Sequence, residues 1–563
     1  MRNILSARPI GNVAGGIAAK NEEKNPPLAS ATIAKGMNTK LDPVDLDDAE
    51  SVLARNVAFV GGKLSRRVGN SMFTPSRPTL NKVQNLFSIK LYDGNLVILR
   101  MDQGKIYVWS PAAWIEVTGA GLASSATDKF NLASILNNVY ITNNGANKVI
   151  KLNLVANTYA EVASSAKFKY LFSLYNRIVG LNDNTGTGDP IYVGWTGDLN
   201  TDQYDFTVDP SAGYSRLAES QTGVPDFISG GFGFGDSGLI LRERSIWQVI
   251  KQPSPTNPFY FQALLPEYGC DIPYSAQQIP GGLMWGDRRW NTVLAHKIGD
   301  PEPIAIGRRI ESELTLNTVD PNNVFSSYDQ FNMIYTLGIV VPGSDYTRLW
   351  RYNQKEDAWS YDETKFVSCI SSVAYSANGF TIDALPGTIS SLTGTIDGLS
   401  PAVTSTVILS GLSNGKILKG DSTVYTDIYT DGLIGDLVGT IGTLVGNIGD
   451  LATQAGTTFT STLISKTYMT PERDLYVRRF ALIVEPFASS TITISYSTNN
   501  GVTYKTYKTV DVSGVDRGKR QEIVCSKYIK ARQFNWKIES TSGQFNVTYY
   551  EITSDKGPYS RRP

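Results

Sequence analysis

From about residue 86 to 375 the chain repeats one device. A short apolar run meets a polar turn, and a second run then alternates or carries an aromatic ring. It is read in NLVILRMDQGKIYVW (95–109), NNVYITNNGANKVIKLNL (137–154), SGLILRERSIWQVIKQ (237–252), GGLMWGDRRWNTVLAHK (281–297) and MIYTLGIVVPGSDYTRLWRYNQKEDAW (333–359). Runs of this length bounded by Gly, Asn and Asp are β-hairpins, and almost nothing in the span has the length or period of a helix. The pairs start near 95, 137, 170, 237, 281 and 333, with spacings of 42, 33, 67, 44 and 52 residues. Four of these fall near the roughly 40–50 residues of a four-stranded propeller blade, and the longest marks a loop insertion. Trp109, Trp247, Trp290 and Trp350 are assigned to second strands, as large rings filling the gaps between wedge-shaped sheets. The span would hold roughly six or seven blades. With no fixed dipeptide in the repeat, a stacked pair of β-sandwiches would use the same strands.

The flanks differ in texture. Residues 1–35 are Ala-, Asn-, Lys- and Pro-rich, an extended arm or a frayed terminus. Residues 46–58 (LDDAESVLARNVA) are expected to form a short helix, with Asp47 and Asp48 at its positive end and Leu46, Val52, Leu53 and Val57 on one side. Residues 376–465 hold 14 Gly and carry a local charge of −5. Ile382, Ile389 and Ile396 recur every seven residues with Leu385, Leu392 and Leu399, and Ile434, Ile441 and Ile448 do so with Leu437, Leu444 and Leu451. That spacing imitates a coiled coil, but each glycine costs a helix about 1 kcal/mol, so extended pieces joined by Gly turns, or a flexible low-complexity loop, are expected. From 466 onward, alternation returns in STITISYSTNNGVTYKTYKTVDV (490–512), ARQFNWKIES (531–540) and GQFNVTYYEIT (543–553), an antiparallel β-sandwich with a local charge of +7.

The expected fold is therefore mainly β. It has an arm and short helix over 1–85 that join a platform, a β-propeller-like domain over 86–375, a Gly/Thr/Ile-rich insertion over 376–465 acting as tip or dock, and a C-terminal β-sandwich over 466–563. On this division, removing 376–465 leaves a folded propeller.

Composition excludes more than it selects. Lys plus Arg and Asp plus Glu are both 52, which argues against a generally basic nucleic-acid binder. No apolar run is long enough for a membrane-spanning helix, and Arg8 and Pro9 interrupt the early apolar stretch, so no secretion signal is expected. Cys270, Cys369 and Cys525 are too far apart for a metal site or a disulfide framework and read as buried thiols.

No catalytic constellation emerges. The single histidine, His296, lacks a Ser or Cys partner and reads as structural. GGFGFGDSG (230–238) is glycine-rich but lies between strands, away from any helix N-terminus. Asp287, Asp300 and Glu267 are carboxylates that nothing in their spacing pairs, as a glycosidase would require. STNNGVTY (497–504) loosely resembles the turn-stabilising Asp-box of sialidase propellers, with Asn499 in place of Asp, and reads as a plain hairpin. No cofactor and no enzymatic activity are expected.

Three features together resemble one family. They are LDPVDLDDAESVLARNVAFVGGKLSRRVG (41–69), the recurring Ile-x-x-Leu around TIDGL, and the order of arm, propeller, insertion and sandwich. They look like the tail nozzle, or tail-hub and DNA-stabilisation, proteins of short-tailed bacteriophages. The resemblance implies a structural virion protein, assembled in the host cytoplasm as a homohexamer beneath the portal and its adaptor ring. Double-stranded DNA would be retained in its channel and ejected without sequence-specific binding, and a tail fibre or tailspike would dock on it. It makes Arg55, Arg66, Arg67, Arg478 and Arg479 candidate adaptor or platform contacts, while Arg66 and Arg67 read equally well as caps of a strand. The rival class is a carbohydrate-binding or carbohydrate-cleaving propeller of tailspike type; a bacterial surface or adhesion β-protein is a third.

Overall fold

Strands buried on both faces read as continuous apolar runs, and the first strands of the hairpins found above obey that rule. The computed structural model describes residues 28–559 apart from 75–76, 111–112, 124, 126–127, 163–165, 206, 218–223, 236, 255, 342, 377–403, 422–423, 428–456, 470–472, 487–489 and 512–520. Among the described residues there are strands and three short 3-10 turns but no α-helix, and none long and apolar enough to cross a membrane.

Six four-stranded antiparallel meanders follow one another in chain order. They start at the strands Asn85–Lys90, Asn131–Ile135, Phe168–Leu174, Ile228–Phe234, Gln277–Ile279 and Val324–Asp329. Each is a propeller blade. The third blade is long because residues 196–212 intervene between its last two strands, Asp189–Trp195 and Gly213–Arg216, which accounts for the longest spacing. A seventh sheet stands between the sixth blade and the first. Its strands are Val367–Ser376, Thr404–Leu412 and Ile417–Asp421, then Gly69–Met72 from upstream, with Thr426–Asp427 and Thr457–Thr458 beyond.

Packing between neighbours follows the two-residue strand period. In the second strand of blade four, Ile240 faces blade three beside Phe172, while Leu239 and Leu241 face blade five beside Trp285. The same logic closes the ring: Leu412 and Leu418 of the seventh sheet meet Phe325 and Leu349 of blade six, and Cys369 and Leu409 meet Leu86 and Tyr107 of blade one. Trp350 is fully buried and Trp109 packs on Trp114 and Phe73. Trp290 departs from its assignment: it lies in the turn after the strand Gly282–Asp287, 61% exposed, and Trp285 fills the gap instead.

Two sheets form the sandwich. One pairs Val57–Val60, Lys63–Arg66, Phe545–Tyr559, Arg473–Pro486 and Gln521–Cys525, with Ala29–Ala31 and Ile529–Ala531 attached. The other continues the sheet of blade six through Ser51–Arg55, Ser461–Ser465, Gln533–Ser540, Thr491–Ser497 and Lys505–Asp511. Phe480, Leu482, Ile494, Trp536 and Tyr550 lie in the core between them. Segments from both sides of the propeller in the sequence thus build this layer.

Two expectations are corrected. The helix over 46–58 is absent. Asp47 accepts the Ala49 backbone N–H in a tight turn, and the residues after it form the strand Ser51–Arg55, captured between Ala358–Lys365 and Ser461–Ser465. An unpaired place between two strands outweighs a short helix's weak propensity. Nor is 376–465 a separable insertion, because 404–421 supplies two strands of the ring and 461–465 one of the sandwich. The Ile-x-x-Leu repeats lie outside the described residues.

Candidate functional site

The passage 41–69 runs through the joint where blade six, the seventh sheet and the sandwich meet. Its acidic residues hold turns. Asp42 accepts Val44 N–H, and Asp47 accepts Ala49 N–H and pairs with Lys35 at 2.7 Å. The Ala49 N–H, followed by Lys35, keeps the Asp47 carboxyl below its ordinary range. Asp48 offers its carbonyl to the Tyr550 hydroxyl at 2.6 Å, tying this turn to the last strand.

Asn56 turns the chain from one sandwich sheet to the other at a φ of 54°, a left-handed conformation that asparagine tolerates better than most residues. Its side chain makes three hydrogen bonds. Oδ1 accepts Arg67 Nε and Glu363 N–H, and Nδ2 donates to Thr460 O. Gly61 and Gly62, both at positive φ, make the two-residue turn that pairs Val60 with Lys63. A Cβ at Gly69 would stand 2.3 Å from the Thr426 carbonyl oxygen, so the seventh sheet requires glycine there.

The twin arginines between these points are internal. Arg66 is 1% exposed and donates to the carbonyls of Gly543, Tyr425 and Phe459, and burial lowers its pKa to about 10. Arg67 is 3% exposed. Its guanidinium grips Asp427 with bonds of 2.9 and 2.5 Å, donates to Asn56, and lies 3.6 Å from the Phe459 ring centroid. Asp362 stands 3.8 Å away and pairs with Arg351 at 3.1 Å. Bidentate charge-assisted bonds of this kind fix geometry as well as energy. This corrects the expectation of Arg66 and Arg67 as adaptor contacts, since neither reaches the surface of the chain. Arg55 flanks the joint, partly exposed and 3.6 Å from Glu363. Arg478 and Arg479 lie elsewhere, on the long strand Arg473–Pro486. Arg478 is exposed, and Arg479 pairs with Glu551 at 3.2 Å and with Glu522.

Spacing in the sequence could not join Asp427 or Asp362 to the arginines, since both carboxylates come from distant strands. Asn56 carried a signal, as an Asn at a strand break.

The inner strands of the ring enclose a second feature, a cavity of about 330 Å³. Asn85, Asn131, Ser327 and Ser371 are among its lining residues, and Lys129 lies in its wall. Lys129 is 4% exposed, and its Nζ donates to the carbonyls of Gln84 and Ser368, at 3.4 and 3.3 Å, and lies 5.9 Å from the Phe325 ring centroid. Among the described residues no carboxylate pairs with it. Burial lowers its pKa to about 8, with Cys369 opposing the shift and Lys82 adding repulsion. The unfolded chain holds the proton to higher pH, so the cost of the charged form is full below pH 8 and fades as pH rises toward 10.5. Lys129→Met should therefore be more stable than the parent at neutral pH, by on the order of 3 kcal/mol. That advantage should shrink toward pH 10, read from paired urea titrations; a gap independent of pH would contradict it.

The carboxylates considered as catalytic do not converge. Asp287 is buried and accepts the N–H groups of Arg289 and Trp290, a turn-holding role. Asp300 bonds through its main-chain carbonyl to His296 Nε2, and Glu267 through its own to Arg289. His296 is buried in its strand. Among the described residues no group of three or more His, Cys, Asp or Glu is placed to hold a metal. In the 497–504 hairpin, Asn499 accepts Thr503 N–H and Ser497 accepts Gly501 N–H.

No family model and no curated protein matches the chain. Among solved structures it is similar to PorZ, a surface component of the type-IX secretion system of Porphyromonas gingivalis, at 10% identity and a TM-score of 0.32, covering 55% of this chain and 35% of that one. It is also similar to the extracellular domain of a hybrid two-component system of B. thetaiotaomicron, at 8% identity and a TM-score of 0.36, covering 62% and 39%. A third match, TmCBM61 in complex with β-1,4-galactotriose, has 11% identity and a TM-score of 0.14, and covers 17% of this chain and 65% of that one. The chain spans little more than a third of the first two proteins. At these values the likeness bears on neither family nor function.

Proposed function

We propose that this chain is a structural subunit of a short-tailed bacteriophage tail. It would be the hexameric nozzle that continues the DNA channel beneath the portal and adaptor, retains the genome, conducts its ejection and carries fibres or spikes. The observation that carries this reading is the use made of 41–69, the passage that most resembles that family. Its Asn56, Gly61, Gly62, Arg66, Arg67 and Gly69 each hold a constrained position in the joint between propeller and sandwich. A resembling passage whose residues build the joint between two layers supports a shared architecture, and a well-held joint is what a wall under load needs. The C-terminal sandwich, with its local charge of +7, offers a surface for an acidic neighbour. Its outer strand Lys505–Asp511 ends a sheet, with Lys505 and Lys508 exposed, and such an edge is protected in isolation by charge or covered in a ring.

The test is the particle. Purified protein, or tails from disrupted virions, should show six-fold rings in negative stain, and light scattering should give six times the 61.5 kDa of one chain. A monomer at tens of micromolar that does not close into rings when the adaptor is added would refute the assignment.

A further inference from the structure

The cavity between the inner strands pairs a buried cation that has no carboxylate partner among the described residues with a neutral wall. The Lys129 ammonium has two main-chain carbonyls at the long limit of hydrogen bonding and, among the described residues, no carboxylate. A buried cation in that state is costly, and an anion entering from the cavity would remove the cost. Lys82 adds positive potential from nearby.

The rest of the wall narrows the choice of anion. Asn85 and Asn131 spend their Oδ1 atoms on the N–H groups of Phe130 and Leu171, which leaves the Nδ2 groups to donate. Ser327 and Ser371 also line the cavity, and a hydroxyl both donates and accepts. Phe232 and Tyr328 provide apolar ring surface on the same wall. An inorganic anion would use the lysine and accept from the amides and hydroxyls, but it would leave the rings without an apolar partner. A neutral sugar would use the amides, hydroxyls and rings and leave the lysine bare. The volume of about 330 Å³ is at the lower end of small-molecule sites, near the size of a single sugar ring with substituents.

We propose that this cavity binds a sugar acid, with the carboxylate on Lys129 Nζ and the ring hydroxyls on the amides and serines. One propeller holds the complete site, so the inference stands or falls apart from the tail assignment. The test is calorimetry and saturation-transfer NMR on the full chain with D-glucuronate, D-glucose, acetate and inorganic phosphate. Glucuronate should bind, with glucose and acetate each at least about tenfold weaker. Lys129→Met should weaken glucuronate at least about tenfold and leave glucose unchanged. Ser371→Asp, which keeps the lysine but places a competing carboxylate in the wall, should also weaken glucuronate at least about tenfold. The proposal is overturned if glucuronate does not bind, if glucose or phosphate binds as tightly, or if both variants hold glucuronate like the parent.

Discussion

Replacing Arg67 with methionine should destabilise the chain by about 3–5 kcal/mol, because it takes a bidentate cation from a carboxylate with nowhere to go. Asp427 is 2% exposed, on a two-residue strand that pairs with Gly69–Met72 on the outer side of the seventh sheet. The same guanidinium donates to Asn56, which sets the crossover between the sandwich sheets. The loss should therefore be felt in both layers, as a shift in urea midpoint and as earlier proteolysis near the joint. Arg67→Lys should rescue little, since a single ammonium cannot span Asp427 and Asn56 together. The double change Arg67→Met with Asp427→Leu should recover part of the loss, because the Asp427 carboxylate is then no longer buried without its bidentate cation. If the single variant lies within about 1 kcal/mol of the parent, or the double variant is no better than the single, the pair does not hold the joint.

What the sequence disclosed and what it hid follow from how far apart the interacting parts lie. Hairpins are local, and a strand such as Leu239–Leu241, covered on both faces, announces itself as an unbroken apolar run. The blades were legible for that reason. The seventh sheet was not, because its fourth strand, Gly69–Met72, precedes the first blade while its second begins at Thr404. The misread helix shows the same limit: nothing in LDDAESVLARNVA records that two distant strands leave a place for Ser51–Arg55. Exposure was equally hidden for the arginines. Arg66 and Arg67 look like surface cations until Phe459 and Asp427 arrive from nearly four hundred residues away. Lys129, in ATDKFNLAS, has no local mark at all; only the ring buries it.

The second large effect concerns closure of that ring, and it separates segments that sequence texture had merged. Ser376 pairs directly with Thr404, and Asp427 with Thr457, so 377–403 and 428–456 each join strand ends that already lie opposite one another. A two-residue Asn-Gly turn can bridge such ends, so replacing either segment by that turn should leave the propeller intact. Removing 404–421 should not. It strips the partner strand from Val367–Ser376 and takes Leu409, Leu412, Ile417 and Leu418 out of the contacts with blades six and one. Cys369 reports the difference. It is 3% exposed, and burial raises its thiol pKa to about 11. A thiol held there reacts slowly, because the thiolate is the nucleophile. Opening the ring restores both access and an ordinary pKa, so alkylation of Cys369, located by mass spectrometry, should accelerate at least about a hundredfold in the strand deletion. The two loop replacements should keep the parent rate. Protection of Cys369 after loss of 404–421 would mean that the six consecutive blades close on themselves and that the seventh sheet is an accessory. Rapid labelling in either loop replacement would mean that the paired strand ends do not hold the hairpins without the segments between them.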